Sequence, residues 1–226
     1  MSNRKNTVKI IGHYGGDLLH ASSAWTSTVR DLTEEKLNRV GGLLKTLAEA
    51  GHHTPFEKSS LHFLVVTDIA THIQLLKHRI GVSINGESAR YKELKDDKFY
   101  VPVDWPQTEQ DLYIQHMEES LKKYHECLDR LVKSGFSKKR AKESARMYLP
   151  YGNQITADIM FNWRSFVHFA GLRYADDAQL EIRNLADEML NLVMKIDGQP
   201  FKLSMKAFRL LDDNDNLMPP FVKTKK

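Results

Sequence analysis

The chain has 226 residues, 41% of them apolar and 27% charged, the balance of a globular protein able to bury one sizeable core. A net charge of +4 suits anionic small ligands and is too mild for a dedicated nucleic-acid binder, which clusters its basic residues. The lone Cys127 excludes an internal disulfide framework, no run approaches the ~18 apolar residues of a membrane span, and MSNRKNTVKIIGHY lacks a signal peptide's apolar centre, so a cytoplasmic protein is predicted. No Cys/His spacing suits zinc, no metal site is expected, and neither a P-loop nor a GxGxxG turn occurs.

Residues 7–14, TVKIIGHY, alternate as a first strand. The small-residue stretch GGDLLHASSAWTST follows as a loop or helix start, with Ser22, Ser23, Thr26 and Ser27 small enough to pack against a ligand. From Leu32 to Ala50 the steps Leu37, Val40, Leu44, Leu47 predict a helix, capped by Asp31 with Glu34 and ended by Gly51. GHHTPFEK is a bend, because Pro55 keeps Thr54 out of the helical region. SSLHFLVVT reads as a strand buried on both faces, with Leu61, Phe63 and Val65 on one and His62, Leu64 and Val66 on the other. Thr67 or Asp68 then caps a helix with Ile69, Ile73 and Leu76 inward, which delivers Gln74 and the triplet Lys77-His78-Arg79.

The segment QLLKHRIGVSINGESARY holds three cations, several small hydrogen-bonding side chains and one carboxylate. Arginine presents a planar fork to a phosphate, lysine a compact charge, and serine and asparagine can complete an anion-binding nest. A solvated loop with ordinary surface charge accounts for the composition equally well.

FYVPV is predicted to be a short strand, followed by a long helix from Thr108 to about Ser134 with the stripe Ile114, Met117, Leu121, Tyr124, Leu128 and Leu131. Cys127 lies beside that stripe and reads as a packed thiol rather than a nucleophile. Ser137 caps a shorter helix, KKRAKESARMYLP, stopped at Pro150, in which Arg146 can pair with Glu143. A helix from about Thr156 to Phe169 places Arg164 and His168 on one face beside Phe161 and Ser165. A further helix carries Ile182, Leu185, Met189, Leu192 and Ile196; residues 201–211 form a last helix, and 213–226 a frayed tail. The sum is one α+β domain spanning 1–226, several long helices packed with a small, largely antiparallel sheet.

Four blocks in this order, GHHTPFE, KHRIGVSINGESARY, SARMYLP and NWRSFVHFAGLRYADDAQLEIR, resemble the flavin-dependent thymidylate synthases at similar spacings. Two departures stand out from that family's pattern of Arg-His-Arg, seven residues and a serine. Lys77 replaces the first arginine, keeping the charge but losing a bidentate contact, and eight residues separate Arg79 from Ser88. Either Gly86 or Glu87 then stands at the family's glutamate position, and Glu87 is the preferred assignment.

The resemblance implies synthesis of thymidylate (dTMP) from deoxyuridine monophosphate (dUMP). Methylenetetrahydrofolate would donate the carbon, FAD would be the cofactor and NADPH the reductant, and a homotetramer would carry active sites where subunits meet. By position it assigns FAD contacts to Thr54, Lys77, His78, Arg79, Glu87, Asn162, Arg164 and His168, and more loosely to His52 and Ser27. It assigns the nucleotide to Gln74, Lys77, Ser88, Ala89, Arg90, Arg146 and Arg173, and the chemistry to Arg173. Two other readings stay open. One is an inactive relative that still binds flavin or nucleotide; the other is a basic helical protein tracking nucleic acid with Lys138, Lys139, Arg140, Lys142 and Arg146.

Overall fold

The computed structural model describes residues 4–28, 31–88, 90 and 98–222. In chain order its elements are β1 (Thr7–Tyr14), α1 (Asp17–Trp25), α2 (Glu34–Glu49), a 3-10 turn (Thr54–Lys58), β2 (Ser60–Asp68), α3 (Ile69–Leu75) and β3 (Val82–Gly86). There follow α4 (Gln107–Lys133), α5 (Lys138–Ala145) with a 3-10 turn (Arg146–Tyr148), β4 (Gln154–Asn162), α6 (Trp163–Arg173), α7 (Leu180–Met194) and α8 (Lys202–Ala207). Among the described residues one four-stranded sheet runs in the order β1-β2-β4-β3, so the architecture is α+β. The chain forms two compact units. The first holds the described residues of 1–7, 65–76 and 85–157, the second those of 8–64, 77–84 and 158–226.

In the first unit α4 packs on α5. Tyr124 and Leu128 close on the small Ala141 and Ala145, with Cys127 partly buried against them, and Met117 and Leu121 close on Phe99 and Val101. Ser137 caps α5 as expected, accepting from Arg140 N. In the second unit the core is aromatic. Phe63 stacks on Phe166 at 5.7 Å and Trp163 on Phe201 at 5.0 Å, while Ile182, Leu185 and Met189 of α7 are buried. Each such ring adds about 2–3 kcal/mol of burial before packing geometry is counted.

Several predicted elements differ, each for a local reason. The helix expected from Thr156 begins only at Trp163. Residues 154–162 are β4, in which Ala157, Ile159 and Phe161 alternate inward and suit a pleated surface, and the Asn162 Oδ1 caps α6 by accepting from Ser165 N at 2.8 Å. FYVPV is no strand; Phe99 makes one isolated bridge to Asn153. Thr33, not Asp31, caps α2. β2 is fully buried on one face only, since Leu61, Phe63 and Val65 are inside while His62, Leu64 and Val66 are half-buried and His62 pairs with Asp158. On α3 the Asp68 cap sets a phase that buries Thr71, His72 and Leu75, leaving Ile73 38% and Leu76 44% exposed.

Within the stretch GGDLLHASSAW, the residues after the two glycines form the helix α1, anchored by Asp17 to α8. That last helix is shorter than expected, Lys202–Ala207, and the described chain beyond it, up to residue 221, is tied to the body by hydrogen bonds and bridges. Asp212 Oδ1 accepts from Asn214 N and Asn216 N, Leu211 bridges Leu217, and Phe221 runs parallel to Ala175.

Candidate active site

The second unit contains a pocket of about 890 Å³. Its cationic lining comes from two segments far apart in sequence: Lys77 and Arg79 ahead of β3, and Arg164, His168 and Arg173 along α6. Glu57 supplies the carboxylate in this lining and pairs with Arg164, while Val82, Val167, Leu172 and Phe208 give it apolar surface. A wall with four permanent cations and one acid favours an anion, and the apolar surface favours a flat ring beside it.

Loop 77–81 is fastened to both ends of α6. At the first turn, Asn162 N donates to Gly81 O at 2.9 Å and the Ser165 hydroxyl to Ile80 O at 2.7 Å. Gly81 has φ +64, and a β-carbon there would come within 2.3 Å of Asn162 Nδ2 and 2.4 Å of Ser165 Oγ, so no other residue fits. Ile80 is left 90% exposed by this arrangement. At the last turn, Arg173 Nε donates to His78 Nε2 at 3.0 Å. His78 is buried, 8% exposed, edge-on to Phe169 at 5.1 Å and to His168 at 6.2 Å.

Burial, helped by the nearby Arg173 and His168, pushes the His78 pKa down from 6.5 to about 4. The ring is therefore neutral at physiological pH. Since Nε2 accepts the guanidinium proton, the ring's own proton sits on Nδ1. Burial also lowers the Arg173 pKa from its ordinary value of 12.5.

Of the residues assigned from sequence, Lys77, His78, Arg79, Asn162, Arg164, His168 and Arg173 come together in this pocket. Thr54 and His52 are exposed and lie beside lining residues His53 and Glu57 rather than among them. Ser27 is exposed at the end of α1, its hydroxyl donating to Ala24 O at 2.9 Å. The remaining assigned residues that the structure describes belong to the first unit. There Glu87 hydrogen-bonds Thr156 twice, N to O at 2.7 Å and Oε2 from N at 3.2 Å, and the Ser88 hydroxyl accepts from Arg90 N. Arg90 Nε donates to Glu143 Oε1 at 3.0 Å, which holds that carboxyl below its usual range; Arg146 is exposed and Gln74 half-buried on α3. Glu143, which could have paired with Arg146, serves Arg90 and Arg140. Ala89 lies outside the described residues.

Sequence reasoning missed Glu57, Ser165 and Phe208. Glu57 sits inside a quoted block, and an arginine needing an anchor was the available signal; Phe208 gave none, being one apolar residue among many.

Another buried network lies in the second unit. Asp17 Oδ1 accepts from the Ser204 hydroxyl at 2.6 Å, so Ser204 must accept from His20 Nδ1 at 2.8 Å, and His20 Nε2 accepts from Ser59 at 2.5 Å. His20 is fully buried, and burial drives its pKa from 6.5 to about 4.

Comparison with known proteins gives the family and the fold. The family model described as thymidylate synthase complementing protein matches residues 9–197. The chain is 34% identical over 187 residues to a flavin-dependent thymidylate synthase of Clostridium tetani, covering 77% of this chain and 73% of that one. It is 32% identical over 235 residues to another from Streptomyces avermitilis, covering 94% and 93%. Among solved structures, a UMP/dUMP methylase, PolB of Streptomyces cacaoi bound with 5-Br dUMP, superposes with a TM-score of 0.75 at 26% identity, covering 91% of this chain and 95% of that one.

Proposed function

This chain belongs to the flavin-dependent thymidylate synthase family, and on that footing we propose that it converts dUMP to dTMP with methylenetetrahydrofolate as carbon donor, FAD as cofactor and NADPH as reductant. The observation that carries the reading is the convergence of Lys77, Arg79, Arg164 and Arg173 on one pocket with an apolar side. FAD offers a diphosphate and a flat ring, and the pocket's cations and its Val82, Leu172 and Phe208 surface suit those two parts. Its volume of about 890 Å³ also suits a large ligand.

Lys77, His78, Arg79, Asn162, Arg164 and His168 would hold FAD, with Glu57 keeping Arg164 in place and Thr54, Glu87, His52 and Ser27 as further contacts. When bound, FAD supplies the hydride and the carbon-transfer chemistry. Gln74, Lys77, Ser88, Ala89, Arg90 and Arg146 would bind dUMP, the charges of Lys77, Arg90 and Arg146 being suited to its phosphate. Arg173 would act on the ring. Carbon 5 of uracil gains nucleophilicity as negative charge builds over N3 and O4, and a fixed guanidinium stabilises that charge by about 3 kcal/mol. No cysteine nucleophile is needed, consistent with Cys127 lying against Tyr124 and Leu128 in the α4–α5 core.

Lys77 keeps the charge of the family's first arginine and lines the pocket, which supports the active reading over the inactive one. A homotetramer in the cytoplasm completes the proposal; among the described residues no helix is long and apolar enough to cross a membrane. The test is a turnover assay with dUMP, folate, FAD and NADPH, each withheld in turn, on protein whose mass is measured by light scattering. Product should appear only with all four, from a four-chain species. Product formed without FAD would refute the mechanism, and a monomer of full activity would refute the assembly.

A further inference from the structure

The triplet histidine has a task that a flavin contact alone does not describe. His78 is buried between loop 77–81 and α6, its Nε2 faces Arg173 Nε at 3.0 Å, and Phe169 packs edge-on against its ring. A guanidinium bound through Nε has its plane fixed, because that hydrogen bond restrains the last torsions of a long side chain. We infer that His78 is a positioning residue: its neutral ring, protonated on Nδ1, accepts the Arg173 Nε–H and sets the guanidinium plane that meets the uracil ring. The inference deepens the reading of Arg173 given above and rests on it.

Two features of the fold make the contact a built one. Gly81 and Ile80 tie the loop to the first turn of α6, so His78 reaches the last turn with little freedom to withdraw. The groups facing the ring are Arg173 and His168 from α6, with the loop's own Lys77 and Arg79 on either side in sequence. Burial first, then Arg173 and His168, oppose protonation of His78, and a protonated ring would have no lone pair to offer Arg173. Histidine is therefore a neutral acceptor here rather than an acid or a base. A lysine or arginine in its place would be a donor facing a donor.

The experiment compares wild type with His78→Leu, which keeps bulk and loses the acceptor, and His78→Gln, whose amide oxygen reaches near the place of Nε2. Nitrogen-15 spectra of the histidine-labelled, FAD-loaded wild type should show Nδ1 protonated and Nε2 unprotonated from about pH 5 to 8. With FAD added to saturation, His78→Leu should lower kcat about 10²-fold at saturating dUMP while keeping its melting temperature, and His78→Gln should recover about tenfold of the loss. A protonated Nε2, a ring titrating near 6.5, or Leu and Gln variants of equal kcat would overturn the inference. If the wild type makes no dTMP, the proposed function fails while the spectra still judge the contact, so the two failures are distinguishable.

Discussion

Arg173 combines a permanent charge with a fixed position, which a residue must do to stabilise charge that appears only during reaction. Its Nε is bound to His78 at 3.0 Å, and it is half-buried at the end of α6. Arg173→Ala should cut kcat by roughly 10²–10³-fold, the cost of losing one positioned donor, while FAD stays bound through the other cations. The check is turnover beside flavin absorbance on the same sample; undiminished turnover would move the chemistry to another residue. At this scale the sequence was informative about type and silent about pairing. Seven assigned residues meet in one pocket because their side chains are charged or hydrogen-bonding and have few other reasons to converge. That Arg164 would take Glu57, and Arg90 would take Glu143, depended on distances no spacing encodes.

At the scale of elements, the site depends on the seam between loop 77–81 and α6. Gly81 is the point where the seam closes, with φ +64 and two side chains pressed on the place of its missing β-carbon. Gly81→Ala should cost at least about 1–2 kcal/mol from the left-handed backbone alone, and more from the contact with Asn162 and Ser165. A lowered melting temperature together with weaker FAD binding is the expected result, read by thermal denaturation and flavin titration; an unchanged protein would show that the seam is slack. The seam was hard to foresee because Asn162 reads as one more polar residue in a helical stretch. It is instead the cap that stops β4 and starts α6, and β-branched and aromatic residues ahead of it favour the strand once a neighbouring strand is present.

At the scale of the whole molecule, acid should unfold this protein earlier than its surface charges require. His20 is fully buried among Ser204, Ser59 and aromatic rings, with a folded pKa of about 4 against 6.5 when unfolded. A depressed pKa means that the unfolded chain takes up the proton first. The stabilisation is therefore present above pH 6.5 and is lost as the pH falls toward 4. The loss from His20 amounts to about 3 kcal/mol, with His78 acting in the same direction. Urea unfolding at a series of pH values should show this decline, and His20→Gln should flatten it; a wild-type profile flat across that window would contradict the assignment.

The sequence by itself determined the α+β class, the long α4 and α7 helices and the family, because apolar periodicity and the four motif blocks are local patterns that survive without neighbours. It also identified QLLKHRIGVSINGESARY as the segment richest in anion-binding groups. Only the tertiary structure decided that the segment divides. Its Lys77-His78-Arg79 part lines a pocket with α6, and its Glu87 is bound to the backbone of Thr156. The reason is physical: a charged side chain's role is set by which partner it meets across the fold, and those partners lie tens of residues away. Periodicity records which face of an element is buried, but not what it is buried against.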